Sequence, residues 1–280
     1  MKNLFVFGNE ISKRTLGIIS ILGMLFLMFI WWYITAYEIV SSYILPNPIK
    51  VLKSYPDLVV KNHLISNLWF SIKINLYGYL EAVIISIPFG FIIGTIPFFR
   101  GLLSKYVDAI RFIPLTAVTG LFIAWFGSEI GMKVHFLAFG IIIYLLPIIV
   151  VRIDEIEKIY IQTAWTLGAN WYKRLIHVYL PSVLSRVFND IKIMVAISWT
   201  YIIAIELVNN EGGIGAMIFT MAKQARTDKV FAILFVIIAI GFLQDKLFKY
   251  LDRVLFPYKH EDKQIKRRGF LHKLMFKQST

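Results

Sequence analysis

The feature that most restricts this chain is a set of long apolar runs almost empty of charge: Leu16–Tyr37, Phe70–Phe98, Asp108–Phe126, Val134–Val151, Ile191–Val208 and Val230–Phe248. About 20 such residues in a helix cross the hydrocarbon core of a bilayer. In lipid every backbone N–H and C=O must be bonded within the protein, and a helix does this within one run. The runs therefore predict an all-α, polytopic membrane protein with about six transmembrane helices. The second run is long enough to tilt or to begin at the interface, and it carries Lys73 and Glu81. Pro88, Pro97, Pro114 and Pro147 fall in or at the ends of runs. Each removes a helix hydrogen bond and predicts a kink.

Composition agrees. The 280 residues are 58% hydrophobic with mean hydropathy +0.68, above the roughly 45–50% apolar content of soluble domains. That length holds one membrane domain, read as residues 1–257, and a basic cytoplasmic tail, 258–280. There are no cysteines, so disulfides and thiolate chemistry are excluded. No G-x-x-x-x-G-K-[ST] loop is present, so the chain is read as a non-enzyme that does not hydrolyse ATP by that route. No cofactor or metal is expected, because His135 and His177 are lone histidines without partners at ligand spacing. The first run lacks a small-residue cleavage site after it and is read as a retained helix.

The formal charge of +13 is explained by where the basic residues lie. With the N-terminus inside, 20 of the 30 Lys and Arg fall in inside segments and 7 in outside ones. The positive-inside rule then puts both termini in the cytoplasm. The tail carries Lys266-Arg267-Arg268 with Phe270, Leu271, Leu274, Met275 and Phe276 interleaved, a composition drawn to anionic membrane lipid. It has no folded element that reads nucleic acid, so that partner class is excluded.

The link Arg152–Asp190 is far longer than a turn between helices needs. Before Gly168 it has helical spacing, with Ile156, Ile159, Tyr160, Thr163, Ala164 and Leu167 near one face. Gly168 predicts a left-handed helix end. Asn170 is the expected N-cap of a second short helix over Trp171–Tyr179, which Pro181 stops or which ends as the next segment opens. The aromatic and apolar residues of this hairpin either dock on another protein or pack beneath their own bundle.

The spacing resembles the EAA loop of permease subunits of ABC importers. Gln162, Thr163 and Ala164 hold the E-A-A positions, Gly168 the glycine, Val178 the isoleucine, and Leu180-Pro181 the closing Leu-Pro. The departures are Gln162 for Glu and Thr163 for Ala. Other features are similar to the branch that imports nitrate, sulfonates, taurine, bicarbonate and thiamine-precursor pyrimidines: Leu45-Pro46-Asn47-Pro48, Arg111–Pro114, Trp125–Gly127, Glu206 followed by Gly213-Ile214-Gly215, and Gly241 with Asp245.

The resemblance implies a plasma-membrane (inner-membrane) subunit whose hairpin inserts in a cleft of a cytoplasmic ABC ATPase dimer. Trp165, Leu167, Trp171 and Tyr172 are the candidate contacts, and Gly168 allows the turn. It further implies a homodimer forming the pathway and an extracytoplasmic solute-binding protein that delivers the solute. Ionisable groups within runs are expensive and face protein or water, so Glu81 and Glu206 are pathway candidates. Interhelical polar contact for Glu81 and a solvated interfacial place for Glu206 are the alternatives. Ser198 and Thr200 either line the pathway or pack helices. Gly213 and Gly215 shape a gate turn or a simple tight loop. The competing function is a stand-alone secondary transporter, which needs coupling carboxylates at mid-membrane; Glu81 alone is so placed.

Overall fold

A computed structural model describes residues 12–208 and 212–259. Its regular elements are helices. The described parts of residues 1–64 and 217–236 form one compact unit, and those of 65–216 and 237–280 a second.

In the first unit, α1 (Lys13–Ala36) starts at Ser12, whose Oγ accepts the Thr15 N–H at 3.2 Å. Nearly all its side chains are exposed, as suits a helix solvated by lipid, which is as apolar as leucine. Two short helices follow, α2 (Pro48–Lys53) and α3 (Tyr55–Val60). Pro48 opens α2, where its missing N–H costs nothing, and Asn47 Oδ1 accepts the Ile49 N–H. Trp31 Nε1 donates to Pro46 O at 3.0 Å, and its ring lies against Phe231 and Phe235 at the start of α12 (Thr227–Leu255). Lys229 is buried there and donates to Asn62 Oδ1 at 2.7 Å, which meets the requirement that a buried ammonium be bonded.

The second unit holds α4 (Leu64–Thr95), α5 (Pro97–Ile110), α6 (Thr119–Phe126), α7 (Ile130–Asp154), α8 (Lys158–Thr166), α9 (Trp171–Arg174), α10 (Leu180–Val208) and the later turns of α12. A further helix, α11 (Ile214–Lys223), starts in it. The core is α7 against α10, with Leu137, Ile141, Leu145 and Ile149 packed on Val183, Val187, Met194 and Ile202. Glycines bring α4 onto α7. A Cβ at Gly78 would lie 2.8 Å from Leu137 and one at Gly90 2.6 Å from Ile149, while one at Gly94 would collide with Ile153. The offset is 59 residues each time, so the two helices run parallel. Small residues permit such close approach where lipid supplies no hydrophobic drive.

Among the described residues five helices are long and apolar enough to cross a membrane, and a bent pair makes six if it is counted as one span. The bent one corrects the expected run Asp108–Phe126. Its first part is α5, which begins at Pro97; a 3₁₀ turn, Leu115–Val118, leads into α6, and the two halves meet at 95°. Pro114 sits at the break. It has no N–H to donate and drives Ile113 away from helical dihedrals. Lys133, one of the seven basic residues assigned to outside segments, is buried near the start of α7. Pro88 and Pro147 lie inside α4 and α7, as expected.

Candidate functional site

The hairpin between α7 and α10 is built by local rules. α7 ends at Asp154, and Glu157 is extended, so Ile156 is not on α8 as its spacing predicted; it is buried against the core. α8 then runs to Thr166. Gly168 has φ +75°, its N–H donates to Trp165 O at 2.9 Å, and Ala169 N–H donates to Ala164 O at 3.0 Å. This pair of bonds is the Schellman ending, which needs a residue free to be left-handed. Asn170 Oδ1 accepts the Lys173 N–H at 2.9 Å and starts α9.

Pro181 does not stop the second helix. α9 passes through a single π turn, Leu175–Tyr179, into α10, and Trp171–Val208 is one 38-residue helix. The proline explains the turn. It cannot bond to the carbonyl four residues back and its ring crowds it; the wider turn, closed by Leu180 N–H on Leu175 O, makes room.

Ile161, Leu175, Val178 and Tyr179 pack the hairpin against the core, while its expected contact residues face outward. Trp165 is 69% exposed, Leu167 82%, Trp171 70% and Tyr172 57%. Gln162 and Thr163 are exposed, Ala164, Leu180 and Pro181 half-buried. A cavity of about 680 Å³ separates Trp171 and Arg174 from Phe91 and Thr95 at the end of α4.

At its base the hairpin is also tied by an ion-pair group that spacing did not reveal. Arg152 Nε and Nη2 donate to Asp190 at 2.8 and 2.7 Å, and its Nη1 donates to both Glu155 oxygens at 2.9 and 2.8 Å. Arg186 donates to Glu155 O at 3.1 Å, and Arg100 pairs with Asp154. Near the same point Tyr258 OH donates to Pro181 O at 2.9 Å and Lys259 Nζ to Ser185 O at 3.0 Å. Residues 260–280, the rest of the expected basic tail, lie outside the described residues.

At the other end of α10, Glu206 is fully buried, which corrects the solvated alternative. Its Oε1 accepts Ser71 Oγ–H at 2.6 Å and its Oε2 accepts Gly215 N–H at 2.7 Å. Ser71 Oγ accepts Ile214 N–H at 2.9 Å, and Asn67 Oδ1 accepts Gly213 N–H at 2.9 Å. Three successive amides at the start of α11 are thus bonded by side chains of α4 and α10. Buried Lys133 adds charge attraction to Glu206. Gly213 has φ +97° and no room for a Cβ against the Glu206 carboxyl; at Gly215 a Cβ would lie 2.7 Å from Ile203 O.

The other expected pathway residues are not gathered there. Ser198 is buried, donates to Val195 O at 2.7 Å and accepts from Asn75 Nδ2 at 2.9 Å across α4 and α10. Thr200 is exposed on α10. His135 is not alone. Its Nδ1 lies 2.8 and 2.9 Å from the two oxygens of Glu81, and its ring centroid lies 4.7 Å from that of Phe126 with the planes tilted by 41°.

Comparison with known proteins points one way. A family model described as "Binding-protein-dependent transport system inner membrane component" matches residues 86–256, a span that includes the hairpin and Glu206. The taurine transport system permease protein TauC of Escherichia coli is 27% identical over 244 residues, covering 84% of this chain and 87% of TauC. The formylaminopyrimidine transport permease protein ThiX of Halalkalibacterium halodurans is 26% identical over 241 residues, covering 83% of this chain and 93% of ThiX. Among solved structures, the MetNI methionine ABC transporter in an inward facing conformation matches with a TM-score of 0.60 at 18% identity, over 68% of this chain and 95% of that one. That likeness is one of fold.

Proposed function

This chain belongs to the inner membrane components of binding-protein-dependent transport systems, and from that premise we propose how its parts divide the work of import. It is a permease subunit of an ABC importer, a membrane-embedded protein that works with an ATPase subunit and a binding protein. The α8–α9 hairpin is the seat of the ATPase, with Trp165, Leu167, Trp171 and Tyr172 as contacts. The single observation that carries this is the continuity of α9 with α10: a helix docked on the ATPase at one end reaches Glu206 about 50 Å away at the other. A displacement of the hairpin tilts α10 as a rod.

Glu206, Gly213 and Gly215 are assigned to an outer gate, where the bonded α10–α11 turn closes the pathway. Two copies of the chain form that pathway between them. ATP hydrolysis belongs to the partner, since this sequence has no phosphate loop of its own. The excess of Lys and Arg on the hairpin side supports a cytoplasmic hairpin and cytoplasmic termini, with the basic tail against anionic lipid. The relatives support two solute classes, a small sulfonate such as taurine and a formylaminopyrimidine, because TauC and ThiX each match over most of both chains.

Co-expression with the cognate ATPase, and purification through a tag on this chain, tests the assignment. The ATPase is expected to co-purify with wild type and to be lost from Gly168→Pro, which removes the Schellman N–H while the chain still inserts. Retention of the ATPase by that variant would overturn the hairpin assignment. Uptake of labelled taurine, set against a labelled formylaminopyrimidine in vesicles holding the whole importer, decides the solute class.

A further inference from the structure

α4 presents two different exposed faces. One carries Leu76 and Val83, with Leu80 at its border, and walls an apolar groove of about 570 Å³ with α10 and α12. The other, about a third of a turn round at 3.6 residues per turn, carries Lys73, Tyr77, Glu81 and Ile84. Lys73 and Tyr77 are exposed on it, and the Glu81 carboxylate leaves the helix to meet His135 of α7. The side chains of that pair remain 29% and 41% exposed, so neither is sealed in the core.

Depth makes this pair informative. Gly94 of α4 faces Ile153, which adjoins the charged belt of Arg152 and Asp154. Glu81 is 13 residues away from Gly94 along α4, about 20 Å at 1.5 Å per residue, in a hydrocarbon core about 30 Å thick. A carboxylate half-open at that depth is costly against lipid and is kept where it faces water or protein. The apolar groove one face away carries no such cost.

We infer that the Lys73–Tyr77–Glu81 face of α4, with His135 and Phe126 beside it, is the water-lined wall along which a small polar solute crosses, and that the groove face meets lipid. The inference rests on the reading of this chain as the pathway-forming subunit. Lys73 and the Glu81–His135 pair, about 12 Å apart along the helix, are the two charged stations of that wall. Ile84, one turn deeper, continues it.

The chain has no cysteine, so a single introduced thiol can be followed. Ile84→Cys and Leu76→Cys are matched in exposure, at 68% and 56% for the native side chains, and lie about 80° apart around α4 at 3.6 residues per turn. Each is expressed as the full chain with the ATPase, and membranes are treated with 2-sulfonatoethyl methanethiosulfonate, which does not enter lipid. Ile84→Cys is expected to react at least about ten-fold faster than Leu76→Cys, since only a thiol in water ionises and is met by the reagent. Solute uptake is expected to fall with that reaction. Equal rates, or faster reaction at Leu76→Cys, would overturn the assignment. An Ile84→Cys thiol that stays unreacted while Tyr77→Cys reacts would overturn it too, by making Glu81 merely interfacial. Failure of the ATPase to co-purify with these chains is read separately and counts against the importer assembly, whatever the thiols do.

Discussion

The two ends of the Trp171–Val208 helix are made in opposite ways. At one end Gly168 sits at φ +75° with open space around it, and the aromatic side chains of the hairpin face outward. At the other end Gly213 sits at φ +97° against a buried carboxyl, and the Gly213, Ile214 and Gly215 N–H groups are bonded by side chains of other helices. A docking surface keeps its side chains free for a partner and needs only a rigid backbone. A closure inside the membrane must satisfy each N–H from within the protein. One end is specified by the residue's own conformation, the other by what surrounds it.

Removing the buried carboxylate is the strongest way to break that contrast. Glu206→Ala leaves Ser71 Oγ–H and Gly215 N–H without their acceptor and takes away the charge opposite Lys133. A loss of about 3–5 kcal/mol is expected for deleting one member of a buried charged group, read as a lowered melting midpoint in detergent. Glu206→Gln keeps an acceptor oxygen and should lose less than half as much. Gly213→Ala comes next, at about 3 kcal/mol, because it combines a strained dihedral with a collision.

Gly168→Ala sharpens the same contrast. It meets only the dihedral cost, about 1–2 kcal/mol. Asn tolerates the left-handed region, so Gly168→Asn should bind the ATPase nearly as wild type does. Gly213→Asn should be no better than Gly213→Ala, since space and not dihedral is limiting there. Equal rescue at both positions would remove the distinction between the two ends. Asn170→Ala, which deletes a cap worth about 1 kcal/mol, should weaken ATPase capture about five-fold.

What the sequence made legible follows the same division. The spans, the left-handed Gly168 and the Asn170 cap are local facts, settled by residues within one or two turns. The π turn was not legible, because Pro181 in sequence reads as a stop, and whether a helix ends or widens there depends on the core that holds Val183 and Val187. Nor was the break in the third span, where Ile113-Pro114 interrupts an unbroken hydropathic run. One partner of Glu206 lies 135 residues away at Ser71, and that of His135 is 54 residues away at Glu81. No spacing rule relates them; the packing of α4 against α10 and α7 does.

The smallest effect expected is that of acid on the base of the hairpin. Hydrogen bonds from Arg152, with the attraction of Arg152 and Arg186, hold the Glu155 carboxyl below the usual glutamate range, against some desolvation. A carboxyl lowered in the folded state contributes stability in full above its ordinary value of about 4.3. That contribution disappears only as the pH falls through the lower folded value. Glu155 is 39% exposed, so solvent screens the pair and its worth is small. ATPase capture by wild type should therefore be flat from about pH 8 to pH 5 as far as this pair is concerned. Glu155→Gln should be weaker by no more than a few-fold, and equally so across that range. A decline in capture between pH 8 and 5 that Glu155→Gln abolishes would mean that the carboxyl is held up rather than down, and that the hairpin is anchored by Asp190 alone.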